Sequence, residues 1–220
     1  MIRLHHCHQT RSMRSLWLLH ELGLDFDLVL HPFDKSLRSE AYLAINPTGR
    51  VPALELDGQT ICESGAIAEV LCEHAPDSDM GRRLGHPERP AWLNWIHFAE
   101  TISQHCAALT QQHIALYDDT MRSPIIMNLE AKRLAKTYET VEQALSGQDY
   151  LLPGGFSAAD IGVGQAIYMG QHFAPLDSAP QVAAWYARIT ARPAFQNSLP
   201  PEGAARLYPQ PFYPPWPVEE

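Results

Sequence analysis

Short apolar runs of strand character alternate with helical spacings over the first 75 residues or so of the chain. Ile2 to Cys7 reads as a strand. After it Leu16, Leu19 and Leu22 recur at helical spacing within Ser12 to Leu22, and Gly23, a residue suited to a left-handed helix cap, stops the segment. Phe26, Leu28 and Leu30 alternate with Asp27, Val29 and His31, which predicts a second strand. Ser39 to Ile45 predicts a short helix that ends before Asn46-Pro47, because the residue ahead of a proline is steered away from helical geometry. Val51 to Leu56 and Gln59 to Cys62 flank Asp57-Gly58, a two-residue loop that favours a type I′ turn, so these two strands should pair antiparallel. Ser64 then opens a helix carrying Ala66, Ile67, Val70 and Leu71. The order β-α-β-α-β-β-α predicts a mixed four-stranded sheet covered by helices.

The pattern changes after Pro76, where Asp77, Ser78, Asp79, Gly81 and Gly85 make a polar, loop-rich stretch. Beyond it, up to Leu199, the periodicity is nearly all helical. Trp92, Trp95, Ile96, Ala99, Ile102, Cys106, Leu109, His113 and Leu116 form one apolar stripe, and Ile126, Leu129, Leu134, Tyr138, Val141 and Leu145 form another, which predicts two antiparallel helices. Phe156-Ser157-Ala158-Ala159-Asp160 is a helix start in which Ser157 caps and Asp160 reaches back, an Asp variant of the capping box. A further helix is expected from Pro180 to Ala191, and the proline- and aromatic-rich end should lie extended over the body. The organisation expected is residues 1–76 as an α/β domain, 77–86 as a linker, 87–199 as an all-helical bundle domain and 200–220 as a tail.

Composition narrows the function classes. The chain has 220 residues, of which 45% are hydrophobic and 19% charged, enough to bury a core and incompatible with disorder. Its net charge of −9, from 16 basic and 25 acidic residues, repels nucleic-acid phosphates and anionic lipid, so neither nucleic acid nor membrane is an expected partner. No apolar run approaches a membrane span and the first residues lack a secretory apolar stretch, so the expected setting is cytoplasmic. The four cysteines, Cys7, Cys62, Cys72 and Cys106, are scattered and read as reduced thiols. His5-His6-Cys7-His8 invites a metal reading, but strand alternation sends His6 and His8 to one face and His5 and Cys7 to the other, so no metal is expected.

Two motifs carry chemistry. In Arg50-Val51-Pro52-Ala53, a proline just inside a strand interrupts ladder pairing. If the Val51–Pro52 bond is cis, the peptide groups of Val51 face outward, ready to pair with an extended peptide ligand. Glu63-Ser64-Gly65-Ala66 then sets a carboxylate beside the N–H groups and hydroxyl of a helix start, which suits the zwitterionic end of an α-amino acid. Ser64 as a simple helix cap is the structural alternative.

With these motifs, the β-α-β-α-β-β-α half and the helical half opened by Ser157-Ala158-Ala159-Asp160, the chain resembles the cytosolic glutathione S-transferases over essentially its whole length. Thr10-Arg11-Ser12-Met13-Arg14-Ser15-Leu16-Trp17 resembles the S-R-S-x-R-V-L-W run of bacterial and fungal members, with Thr10 standing where a serine is commoner. The resemblance implies a thioredoxin-like N-terminal domain, an all-helical C-terminal domain, a homodimer and detoxification-type transferase activity with glutathione as co-substrate and no metal. It implies that Val51 and Pro52 pair with the cysteinyl backbone of glutathione, that Glu63 and Ser64 hold its γ-glutamyl group, and that Arg50 lies near its glycyl carboxylate, with Lys35 and Arg38 as weaker candidates. Asp160 is structural in the family.

A free thiol titrates near about 8.5, so a hydroxyl donor and a helix N-terminus beside it favour the reactive thiolate. Thr10 is the first candidate for that donor and Ser12 the second, each with the alternative of merely capping the helix. Cys7, three residues earlier and inside the strand, is set aside as a mixed-disulfide nucleophile. His113 and Tyr117 are candidates to line a pocket for a small hydrophobic electrophile, whose identity the sequence leaves open. Two further readings stand: a glutathione-dependent peroxidase or disulfide reductase, and a glutathione-fold binding or regulatory protein without turnover.

Overall fold

A computed structural model describes residues 1–217; the last three residues of the 200–220 tail lie outside the described residues. Strand β1 (Ile2–His6) pairs parallel with β2 (Asp27–Leu30) and antiparallel with β3 (Ala53–Leu56), which pairs antiparallel with β4 (Gln59–Ile61), giving the sheet order β2-β1-β3-β4. The β3–β4 turn has positive φ at both Asp57 (50°) and Gly58 (81°), the type I′ signature expected of that dipeptide. Helices α1 (Ser12–Leu22), α2 (Glu40–Leu43) and α3 (Ser64–His74) complete the α/β half, and Gly23 ends α1 with φ 62° as anticipated. The predicted Ser39–Ile45 helix is shorter than expected, a single turn capped by Ser39 and preceded by a 3-10 turn at Lys35–Arg38. β2 is an edge strand, and Leu28 and Leu30 on it are 45% and 53% exposed although their alternation suggested a covered face.

The helical half consists of α4 (Arg89–Thr110), α5 (Pro124–Ala144), α6 (Ala158–Gly170), α7 (Pro180–Thr190) and α8 (Pro193–Ser198). Gln112, just past the end of α4, bonds Ser123 at the start of α5, and His105 within α4 bonds Glu130 within α5, so these two helices are antiparallel. On α5 the buried stripe is Met127, Leu134, Tyr138 and Val141. Ile126 and Leu129, placed in it by sequence, are 42% and 43% exposed because the stripe is set by Met127, about 100° further round the helix than Ile126.

Helix α6 starts as predicted: Ser157 Oγ accepts from Ala159 N–H at 3.3 Å and the Asp160 carboxylate accepts from Ser157 N–H at 3.0 Å. Asp160 also accepts from Leu151 N–H and from Trp185 Nε1–H of α7, so one buried carboxylate ties three segments together. The main apolar core runs from Leu4, Trp17 and Leu54 of the first half to Ile102, Ala166 and Trp185 of the second. Residues 201–217 contain no helix or strand and include a turn at 202–203 and several bends, with Tyr208 and Tyr213 buried.

Candidate functional site

The site is built where β1 ends. Continuing the β1–β3 register past His5–Ala53 by two residues sets Val51 opposite Cys7, and Val51 packs in a small cluster with Cys7, Leu37 and Tyr42. The Val51–Pro52 bond is cis, as the added-strand expectation requires. Arg50 is exposed, and its carbonyl accepts from Tyr42 Oη–H and Asn46 Nδ2–H, each at 2.7 Å, so the segment entering β3 is held from two sides. Lys35 and Arg38 are also exposed.

Between β1 and α1 the hydroxyls of Thr10 and Ser12 lie 2.8 Å apart and both are buried. Thr10 Oγ1–H donates to the Cys7 carbonyl at 2.9 Å, while Ser12 Oγ accepts from Cys7 N–H at 3.1 Å. The alternative of Ser12 as the side-chain cap of α1 is not met: Arg11 occupies the cap position without a side-chain cap bond, and the Ser12 N–H is met instead by Thr10 Oγ1 at 3.3 Å. The Ser12 hydroxyl turns back to the strand, where it meets His6 Nδ1 at 2.7 Å. Burial, and the neighbouring His8, push His6 down to about 3, so it is neutral at physiological pH. Burial, with Asp34 adding to it, pushes the Cys7 thiol up to about 12, which leaves it inert as a nucleophile.

Ser64 is the first residue of α3, after the extended, exposed Glu63. Its hydroxyl does not cap the helix. It accepts from Arg14 Nη1–H at 3.1 Å and donates to Glu100 Oε1 at 3.3 Å. Arg14 is the hub of the site: it pairs with Glu100 of α4, donates to Ser103 Oγ and the Ala99 carbonyl, and sends Nε–H to Gln165 Oε1 of α6 at 2.8 Å. Gln165 Nε2–H in turn reaches the Thr10 carbonyl at 3.1 Å, so Thr10 and Ser64 belong to one hydrogen-bonded frame. Burial alone would raise the Glu100 carboxyl, but Arg14 and Arg11 outweigh it and hold the group below the usual carboxylate range. Sequence reasoning assigned no role to Arg14, Gln165 or His6. The signal available for Arg14 was a lone charge within Ser12–Leu19, at the second arginine of the run that resembles S-R-S-x-R.

His113 lies on the wide turn after α4, half-buried, with its ring 5.6 Å from those of Phe173 and Tyr213. Tyr117, grouped with it by sequence, is 84% exposed. The neighbouring tail is anchored to the same end of β1, since Gln9 Oε1 accepts from Tyr208 N–H at 3.1 Å and Tyr208 Oη lies 2.8 Å from Thr110 Oγ1. A roomier concavity of about 730 Å³ lies at residues 76–88, lined by Cys72, Asp77, Arg82, Glu88 and Gly154. There the Arg82 and Glu88 charges satisfy each other. The histidine run divides as alternation dictates, with His5 bonded to His31 and Glu55 and His6 packed edge-to-face on His8. Among the described residues no group of three or more His, Cys, Asp or Glu side chains is placed to hold a metal.

The arrangement has counterparts among known proteins. Residues 10–74 match the model of the glutathione S-transferase N-terminal domain and residues 112–198 that of the C-terminal domain. Glutathione S-transferase 4 of Zea mays is 31% identical over 189 residues, covering 82% of this chain and 83% of its own length. Protein LigF of Sphingobium sp. (strain NBRC 103272 / SYK-6) is 29% identical over 226 residues, covering 84% and 88%. A sphingomonad glutathione S-transferase solved with glutathione superposes with a TM-score of 0.76 at 26% identity, over 90% of this chain and 96% of that one. A glutathione S-transferase from Xylella fastidiosa shares the fold, with a TM-score of 0.81 over 90% and 97% at 23% identity. A thioredoxin-like sheet half and a helical half joined through Arg14, Ser64 and Gln165 thus carry both domain signatures, and the chain belongs to the glutathione S-transferase family.

Proposed function

We propose that the protein is a glutathione transferase that holds glutathione at the end of β1 and presents its thiolate to a small hydrophobic electrophile. The observation that carries the reading is the common frame through Arg14 and Gln165, which links the two segments expected to grip opposite parts of the tripeptide, Ser64 and the β1–α1 turn. In this reading Val51 pairs with the cysteinyl backbone ahead of Pro52, Glu63 and Ser64 take the γ-glutamyl amino and carboxylate groups, and Arg50 meets the glycyl carboxylate. The Thr10 hydroxyl donates to the sulfur, aided by the positive N-terminal end of α1. Ser12 supports Thr10 from behind, and His113 and Tyr117 border the electrophile. The inertness of Cys7 supports chemistry on the bound thiol over a protein-thiol reductase. The domain division at 1–76, 77–86 and 87–199, a homodimer, and a cytoplasmic setting belong to the same proposal.

Calorimetric titration with glutathione, followed by turnover against panels of model electrophiles, peroxides and mixed disulfides, tests it. Saturable binding with turnover confined to the electrophiles is expected. Binding without any turnover would favour the regulatory alternative, and turnover confined to peroxides or disulfides the second enzymatic one.

A further inference from the structure

The imidazole of His6 is fully buried, bonds through Nδ1 to Ser12 Oγ, and leaves Nε2 without a hydrogen-bond partner among the described residues. Sequence marks it only within the His5-His6-Cys7-His8 run set aside as a metal site, and the family resemblance gives it no role. Its position matters because the hydroxyls of Ser12 and Thr10 form a chain with few protons and a fixed number of acceptors. A hydroxyl has one proton and two lone pairs. One lone pair of Ser12 Oγ is taken by Cys7 N–H at 3.1 Å, and one of Thr10 Oγ1 by Ser12 N–H at 3.3 Å.

Two proton arrangements remain. If the imidazole proton is on Nε2, Nδ1 accepts the Ser12 proton, and the lone pair left on Ser12 is open to the Thr10 proton across 2.8 Å. The Thr10 proton is then held inward, and an N–H is buried with no acceptor among the described residues. If the proton is on Nδ1, it fills the second lone pair of Ser12, which can no longer accept from Thr10. The Ser12 proton then goes either to the Cys7 carbonyl, 3.1 Å away, which Thr10 also reaches at 2.9 Å, or to the second lone pair of Thr10 Oγ1, 2.8 Å away. By either route the Thr10 proton is no longer drawn to Ser12, and by the first it can leave that carbonyl without orphaning it. A buried polar N–H with no acceptor is the costlier defect, since orphaned donors are rarer in folded proteins than under-used acceptors. Burial also keeps His6 neutral, so it carries one ring proton and the two arrangements are exclusive.

We propose that His6 is a positioning residue: as the Nδ1–H tautomer it donates to Ser12 and thereby leaves the Thr10 hydroxyl free to turn to the sulfur of bound glutathione. This rests on the assignment of Thr10 as the thiolate donor.

Two measurements test it. Nitrogen-15 NMR of the imidazole in the unliganded wild type, assigned by loss of the signal in His6→Asn, reports the tautomer without reference to any ligand. A proton on Nδ1 is expected, and a proton on Nε2 overturns the proposal. The second is the pH titration of bound glutathione, read by thiolate ultraviolet absorbance, in His6→Leu and His6→Asn, the asparagine placing an amide N–H where Nδ1 stood. His6→Leu should raise the thiol pKa by about one unit, about tenfold less thiolate at neutral pH, and His6→Asn should restore it. A titration unmoved in His6→Leu, or raised equally in both variants, refutes the positioning role. If His6→Leu does not fold, the tautomer and a wild-type-like titration in His6→Asn decide the matter. A Thr10→Ala titration identical to wild type, with Nδ1–H present, overturns the Thr10 assignment itself and with it the role of His6.

Discussion

Replacing Asp160 with alanine should be the most damaging single change outside the site. Its carboxylate accepts from Leu151 N–H at 3.0 Å, Ser157 N–H at 3.0 Å and Trp185 Nε1–H at 2.9 Å, and all of these lie in the core. Truncation orphans three buried N–H donors at about 1–3 kcal/mol each, frees the more distant Ser157 hydroxyl and breaks the capping box of α6. Part of that loss is returned, because burial raises the Asp160 carboxyl above its ordinary value and removing it relieves a desolvated charge. The balance is about 3–5 kcal/mol, a large fraction of the about 5–15 kcal/mol that holds a typical domain together. Asp160→Asn should cost less: with its oxygen in place of Oδ1 it keeps the Leu151 and Trp185 bonds and sets its amide against the Ser157 N–H and, at 3.4 Å, the Ser157 hydroxyl. Urea denaturation of wild type and both variants, with slopes compared to exclude a change in the denatured state, measures the ranking. A loss below about 1 kcal/mol for Asp160→Ala, or an asparagine variant as unstable as the alanine one, would refute the accounting of three donors on one carboxylate.

Ser64→Ala should weaken glutathione binding by about ten- to a hundredfold, the effect of one hydrogen bond to a charged group, and unchanged calorimetric affinity would place the γ-glutamyl group elsewhere. The hydrogen bond from Arg82, reinforced by Gly154 N–H, holds the Glu88 carboxyl below its usual range. A depressed folded-state pKa contributes stability above the unfolded value, about 4.3, that is lost as pH falls through the folded one. Stability measured between neutral and acid pH should therefore decline less in Glu88→Gln than in wild type, and parallel curves would contradict the linkage. Gly170→Ala should destabilise by about 1–3 kcal/mol, since the added methyl would overlap the hydroxyl of the buried Tyr138, and Tyr138→Phe should recover much of the loss.

What could be read from the sequence was local. The Asp57-Gly58 turn, the Gly23 stop and the Ser157–Asp160 cap each lie within a few residues of the groups they satisfy, and all appear where expected. Exposure was misjudged where it depends on neighbours far along the chain, as at Leu28, Leu30, Ile126 and Leu129. Val51-Pro52 and Glu63-Ser64 stood out because their residue types conflict with plain strand and helix rules. Arg14 and Gln165 carried no such mark, because their meaning comes from contacts between residues 86 and 155 positions apart. Ser12 was left between thiolate donor and helix cap for the same reason, since only the fold brings its hydroxyl onto Cys7 and His6.

The measurement closest to the centre of the account is the thiolate titration of glutathione bound to wild type, Thr10→Ala and Ser12→Ala, followed by ultraviolet absorbance against pH with affinity determined in parallel. The account predicts a bound thiol well below its free value of about 8.5 in wild type. Thr10→Ala should raise that pKa while leaving affinity at low pH nearly unchanged, because a neutral thiol gains little from the lost donor. Ser12→Ala should move it less. A wild-type titration at the free value, or a Thr10→Ala titration that coincides with wild type, would contradict it.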